Sequence, residues 1–292
     1  MYKVQQISVL TSFLALWLTS YLSDDNQVIL GFLLIFTFGI LHGANDLVLI
    51  NHLETKKKYT FIKILTSYVT VVLISVFLFT KIPILALLLF ILVSAYHFGE
   101  QHWHHLIKDC NKKLIKMFQL VYGLEILMLL FVFNQEEVIE IINKIAQVKL
   151  SNNLIINAFL IITTLLLVTT VIIYRKSHLI KKWGVEQLFY LFLLCILFKS
   201  SNLIWSFAIY FIFWHSIPSI YEQIVFLYGK YNLQNFVRYL KTAFFYWLFS
   251  IMGIGILFFT AKDMIIFDAL FFSFLASITF PHVLVIVKMY EK

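Results

Sequence analysis

Apolar residues run along this chain in long blocks from Ile7 to Val287, broken by short polar stretches. A helix needs about 20 apolar residues, at roughly 1.5 Å of rise each, to cross the hydrocarbon core of a bilayer. Ten blocks meet or approach that length: Ile7 to Leu22, Val28 to Ile50, Phe61 to Thr80, Ile82 to Leu106, Leu114 to Phe133, Leu154 to Tyr174, Val185 to Phe198, Leu203 to Ile220, Thr242 to Thr260 and Ile265 to Val287. The pattern predicts an all-α fold, a polytopic transmembrane helix bundle of ten spans. Between the fifth and sixth blocks, Glu136 to Leu150 carries Val138, Ile142, Ile145 and Val148 at helical spacing among charges. That spacing predicts a helix lying at the membrane surface. Lys3 before an apolar run resembles a signal peptide, but no small-x-small cleavage site precedes Ser23-Asp24-Asp25, so a retained first helix is expected. With no polar block longer than a loop, residues 1–292 are expected to form one integral membrane domain.

Composition agrees and narrows the chemistry. The 292 residues are 61% hydrophobic and 13% charged, with a mean hydropathy of +0.90, which excludes an ordinary soluble domain. The net charge of +8 sits in short loops, not on one face or tail, so it reads as a topology signal and argues against a nucleic-acid partner. With both termini cytoplasmic, 18 Lys and Arg fall on that side, among them Lys56, Lys57, Lys58, Lys108 and Lys292. Only Lys81, Lys144, Lys149, Lys199 and Lys262 fall on the other. One helix missed or invented mid-chain would degrade this split. A multi-pass protein of the cytoplasmic (inner) membrane is expected. Cys110 and Cys195 supply neither a disulfide framework nor a thiolate metal motif.

Four histidines lie deep in apolar blocks on the second, fourth, eighth and tenth expected spans: His42, His97, His215 and His282. Counted from the cytoplasmic block ends, they stand at depths of roughly 9 to 14 Å on parallel helices. Ionisable side chains at such depths are costly and mark sites. Four imidazoles in one layer predict a metal centre, for which Zn, Cu, Fe and Ni all suit the ligand type. An octahedral ion with four such ligands would keep two positions open for chemistry, whereas a tetrahedral zinc would keep none. Ligating imidazoles usually donate their second N–H to an acceptor. Asp46, one turn from His42, is the leading candidate, followed by Glu100 and Glu125. His52 and His178 fall in charged loops. His102, His104 and His105 form one partial histidine box at a helix end, read as an interfacial cluster with His104 as a spare ligand.

The motifs His42-Gly43-Ala44-Asn45-Asp46-Leu47, His97-Phe98-Gly99, Trp214-His215-Ser216 and Pro281-His282, in this order, resemble the Brp/Blh family of membrane β-carotene 15,15'-dioxygenases. The resemblance covers most of the chain. It implies an Fe(2+)-dependent multi-helix enzyme that uses O2 to split β-carotene at its central double bond into two retinal molecules, often for a microbial rhodopsin. Members often carry a second histidine four residues after that of the His-Ser motif. Here the position is Ser219, which shifts weight onto His282 as the fourth ligand and leaves Ser219 as a neighbour of the site. Pro218 is expected to kink the helix near His215 and free a carbonyl there. An apolar substrate is recognised by shape, and Tyr96, Phe98 and Trp214, beside the proposed ligands, are the expected cavity lining. Three alternatives stay open: a di-iron membrane hydroxylase or desaturase, a proton-coupled transporter, although no internal repeat is visible, and a non-catalytic cofactor-handling partner of a rhodopsin, which would need no metal.

Overall fold

A computed structural model describes residues 2–53, 61–107, 109–261 and 267–291. Lys56, Lys57, Lys58, Lys108, Lys262, Lys292 and the Ile265 start of the last expected span lie outside them. The described residues are almost wholly helical: α1 (Tyr2–Thr19), α2 (Asp24–Leu34), α3 (Asp46–Leu53), α4 (Phe61–Lys81), α5 (Pro83–Trp103), α6 (Lys112–Phe133), α7 (Gln135–Ala146), α8 (Asn152–Lys176), α9 (His178–Ser200), α10 (Leu203–Ile209), α11 (Ile217–Tyr228), α12 (Leu233–Ala261) and α13 (Phe267–Tyr290). Two π-helical segments, Ile35–Gly39 and Tyr210–Ser216, continue α2 and join α10 to α11. Among the described residues, eight helices are long and apolar enough to cross a membrane, which fits a helical membrane bundle. The first expected span is shorter, and the second is broken by a turn at residues 42–45.

Helix starts follow local chemistry. Side-chain oxygens of Asn111, Ser151, Ser177 and Asn202 accept from backbone N–H groups in the first turns of α6, α8, α9 and α10. Pro83 opens α5, where its missing N–H costs nothing, and Gly229, at φ +80°, closes α11 in a left-handed conformation. Helices on the outside carry exposed Leu, Ile and Phe, as a lipid-facing surface requires, while the α10–α11 unit is almost entirely buried.

The tightest helix pair is α5 against α6. A Cβ on Gly99 would stand 1.8 Å from the Gln119 carbonyl oxygen, and one on Gly123 1.8 Å from that of Ala95. Hydrogen at these positions lets the backbones touch, the usual role of small residues between membrane helices. This contact fixes α5, and with it His97, inside the bundle.

Candidate metal centre

Both π-helical segments end beside a histidine. A π turn shifts the bonding by one residue and frees carbonyls, so such segments cluster at functional sites. Within Ile35–Gly39, the carbonyls of Phe36 and Thr37 accept from Trp247 Nε1, at 3.1 and 3.2 Å, and that of Gly39 bonds to His42 Nδ1. After Tyr210–Ser216 comes Pro218, which has no N–H to give to the preceding turn. Ser8 Oγ from α1 donates to the Phe213 carbonyl at 2.5 Å, and Gln101 Nε2 from α5 to that of His215 at 3.0 Å. The carbonyls expected near Pro218 are therefore taken by neighbouring helices.

The four histidines converge. Their ring centroids form a closed square, 5.0 Å from His42 to His215, 4.6 Å from His215 to His97, 5.2 Å from His97 to His282 and 4.6 Å from His282 to His42, each pair near perpendicular. All four are buried. One ring nitrogen from each of His42, His215 and His282 lies within 4.8 Å of the others. Both nitrogens of His97, Nδ1 of His215 and Nε2 of His282 have no hydrogen-bond partner. Buried imidazole nitrogens left unpaired cost free energy unless something else takes their lone pairs. The donor set of His42, His215 and His282 fits a metal ion, with the unpaired nitrogens of His97 beside it.

Asp46 supports this square from an unexpected direction. Because the chain turns at residues 42–45, Asp46 is not one helical turn along from His42 but opens α3. Its Oδ1 accepts from His282 Nδ1 at 2.8 Å, and its Oδ2 from the Tyr68 hydroxyl at 2.9 Å. With Nδ1 protonated by that bond, His282 keeps its Nε2 lone pair for a ligand role. Replacing Tyr68 by phenylalanine leaves Asp46 Oδ2 unpaired. Activity is expected to fall up to about tenfold, less than for a change at Asp46 itself. Equal turnover in membranes carrying matched amounts of Tyr68→Phe and wild type would contradict that role.

The other expected residues divide. Ser219 accepts from Gln223 Nε2 at 3.0 Å, and Gln223 also donates to the His42 carbonyl at 2.8 Å, so Ser219 touches the site through Gln223. Glu100 accepts from Tyr96 at 2.7 Å and Glu125 from Thr163 on α8 at 3.0 Å, so neither carboxylate meets a histidine of the square. Gln101 and Gln223 were not among the expected residues. Each sits on a histidine's face of an apolar helix, at four residues from His97 and eight from His215, and amides buried at such spacings are the legible signal.

His102 is packed inside the bundle, against Tyr122 and bonded to Gln187 between α5, α6 and α9. His104 stacks on Tyr290, at 4.4 Å between centroids, and His105 approaches Glu222 at 3.2 Å. The partial box thus splits, His102 to one side and His104 with His105, whose rings lie 4.9 Å apart, to the other, and His104 brings no ligand to the square.

A cavity of about 470 Å³ opens from the histidines, within the range of ligand pockets. Its walls are almost wholly apolar, with Phe98, Phe207, Phe211 and Phe249 among the aromatics. Phe98 is therefore in the lining. Tyr96 and Trp214 are not, and their side chains are engaged elsewhere. Tyr96 turns to Glu100, and Trp214 donates to Ser12 at 2.8 Å.

A family model described as beta-carotene 15,15'-dioxygenase matches residues 33–290. The chain belongs to this family. No curated protein and no solved structure matches it. Membership supports a dioxygenase acting on carotenoids, and an apolar cavity ending on buried imidazoles suits that class. The matched segment contains all four histidines and excludes α1, whose Ser8 and Ser12 nevertheless clamp the turn that carries His215.

Proposed function

We propose that the protein cleaves β-carotene at its central 15,15' double bond with O2, giving two all-trans-retinal molecules, and that Fe(2+) is held by His42, His97, His215 and His282. The observation carrying this reading is the square of buried imidazoles at one end of an apolar cavity. When bound, the iron supplies activation of O2 for attack on an electron-rich double bond. Every other contribution belongs to the chain. Asp46 and the Gly39 carbonyl fix the tautomers of His282 and His42, Gln101 and Gln223 hold the backbone of His215 and His42, and Phe98 and Phe211 pack on the rings. The apolar walls exclude water and hold a substrate that has no polar group to grip, so the bond attacked is chosen by position.

In the same reading residues 1–292 act as one catalytic unit with ten spans in the cytoplasmic membrane and both termini cytoplasmic. β-Carotene enters from surrounding lipid, and retinal returns there, available to a membrane receptor such as a microbial rhodopsin. A di-iron box enzyme is less well supported, because none of His102, His104 and His105 joins the square: His102 bonds to Gln187, and His104 and His105 lie together against Tyr290 and Glu222.

The test is expression in a carotene-accumulating bacterial host, with retinal and β-carotene measured by chromatography and iron measured in the purified protein. Loss of carotene, appearance of retinal and close to one iron per chain are expected. Intact carotene beside confirmed membrane protein would reject the reading, and two irons per chain would favour the di-iron class.

A further inference from the structure

The surface helix expected over Glu136 to Leu150 is present as α7, ending at Ala146, but it does not lie idle at an interface. Val138, Ile141, Ile142 and Ile145, at the spacing of one helical face, line the same cavity as the histidines. Glu136 and Glu140 are exposed.

Two anchors set where α7 sits relative to the square. At its start, both carboxylate oxygens of Glu137 accept from the Leu203 backbone N–H at 3.3 Å, on the first turn of α10. Leu203 precedes His215 by twelve residues along the same helical unit. At its other end, Ile145 packs against the buried cluster of Phe79, Ala86 and Ala276, which Leu87 and Phe90 of α5 also join. Leu87 precedes His97 by ten residues, about 15 Å of helix rise. Both anchors put α7 across the end of the cavity opposite the histidines. Around it the walls are hydrocarbon: Leu130, Phe131, Leu203 and Phe207.

We propose that α7 is the end stop of the cavity: it receives one terminal ring of the carotene and thereby sets which double bond faces the histidines. This rests on the reading of the protein as a carotene-cleaving enzyme. The distance of about 15 Å is comparable with the reach from the central double bond of β-carotene to its ring. A polyene offers no polar handle along its length, so a stop at one end is the physical means of fixing register. The hydrocarbon walls beside α7 suit an unsubstituted ring, because burying a ring hydroxyl against them costs free energy.

Two measurements test this with Ile142, which no other element of the site requires. First, in a His42→Ala background that does not turn over, β-carotene co-purifying with the protein is extracted and counted per chain. Adding Ile142→Trp fills the end of the cavity and is expected to lower retention at least tenfold, whereas Ile142→Val is expected to retain as much as the parent. Equal retention by the tryptophan variant overturns the proposal. Second, Ile142→Ala in the otherwise wild-type chain lengthens the cavity, and off-centre aldehydes are expected as at least a tenth of the products. Retinal as the sole aldehyde from that variant would overturn the gauge. Absence of any aldehyde from the wild type defeats the proposed reaction instead, and the retention measurement stands apart from it.

Discussion

Alanine at His215 is expected to lower retinal formation at least about a hundredfold, with the protein still present in the membrane and its metal content reduced. Several contacts converge on this one residue. Its ring lies 5.0 Å from His42 and 4.6 Å from His97, Phe98 and Phe211 pack on it, and its carbonyl is held by Gln101. His42 and His97 already hold their own corners of the square, and Phe98 and Phe211 have no lone pair to give, so the methyl side chain removes a donor that the surroundings do not replace. Outer partners of metal ligands typically contribute tenfold to a hundredfold, and a ligand itself should contribute no less. Asp46→Asn calibrates the scale: it keeps the shape but weakens the acceptor for His282 Nδ1, and should fall within that outer-partner range. His102→Ala is the control, because His102 lies in a separate aromatic layer with Tyr122 and Tyr190. It should reduce stability while leaving iron per folded chain unchanged. Wild-type retinal yield from His215→Ala at matched membrane levels would end the case for the imidazole square.

What made the square readable in the sequence is the same physics that makes it costly. An imidazole in a long apolar run stands out, and counting residues from the run's end places it in depth. Partners across helices were harder to read. Asp46 looked like a neighbour of His42 because a continuous helix was assumed through Gly43, whereas the π-helical segment and the turn after it aim the carboxylate at His282 on α13. Hydrophobic periodicity does not encode a one-residue shift in backbone bonding. The same limit applies to the lining: Phe98 and Tyr96 are equally close to His97 in sequence, and only the packing of α5 on α6 and α10 decides which faces the cavity. For α7 the amphipathic pattern gave the helix and its apolar face correctly. It could not reveal that the face is turned into a cavity and not toward lipid, since both are apolar surroundings. The histidine-rich stretch after His97 misled in the opposite sense, because adjacency along a helix sends His102, His104 and His105 to different neighbours.

Gly99→Ala should be among the most destabilising single changes in this chain, although it adds one methyl group and touches no histidine. The reason is what the methyl meets. At 1.8 Å from the Gln119 carbonyl oxygen it overlaps backbone, which has no rotamer to yield, so α5 and α6 must separate. Overpacking a core typically costs about 1–3 kcal/mol when side chains can adjust, and here the cost should lie at or above the top of that range. Gly123→Ala makes the reciprocal clash with the Ala95 carbonyl, again at 1.8 Å, and should behave alike. Combined, the two should cost less than the sum of the singles, because one separation of the helices relieves both overlaps. Since α5 carries His97 and Gln101, the separation also pulls one corner from the square, and iron retention should drop together with thermal stability in detergent. Two alanines serve as controls. At Gly253 the new Cβ meets nothing within 4 Å, and at Gly43 its nearest contact is His282 Nδ1 at 3.6 Å, an ordinary van der Waals distance. Both should melt like wild type, and if Gly99→Ala melts with them, the close approach of α5 and α6 is not what holds His97 in place.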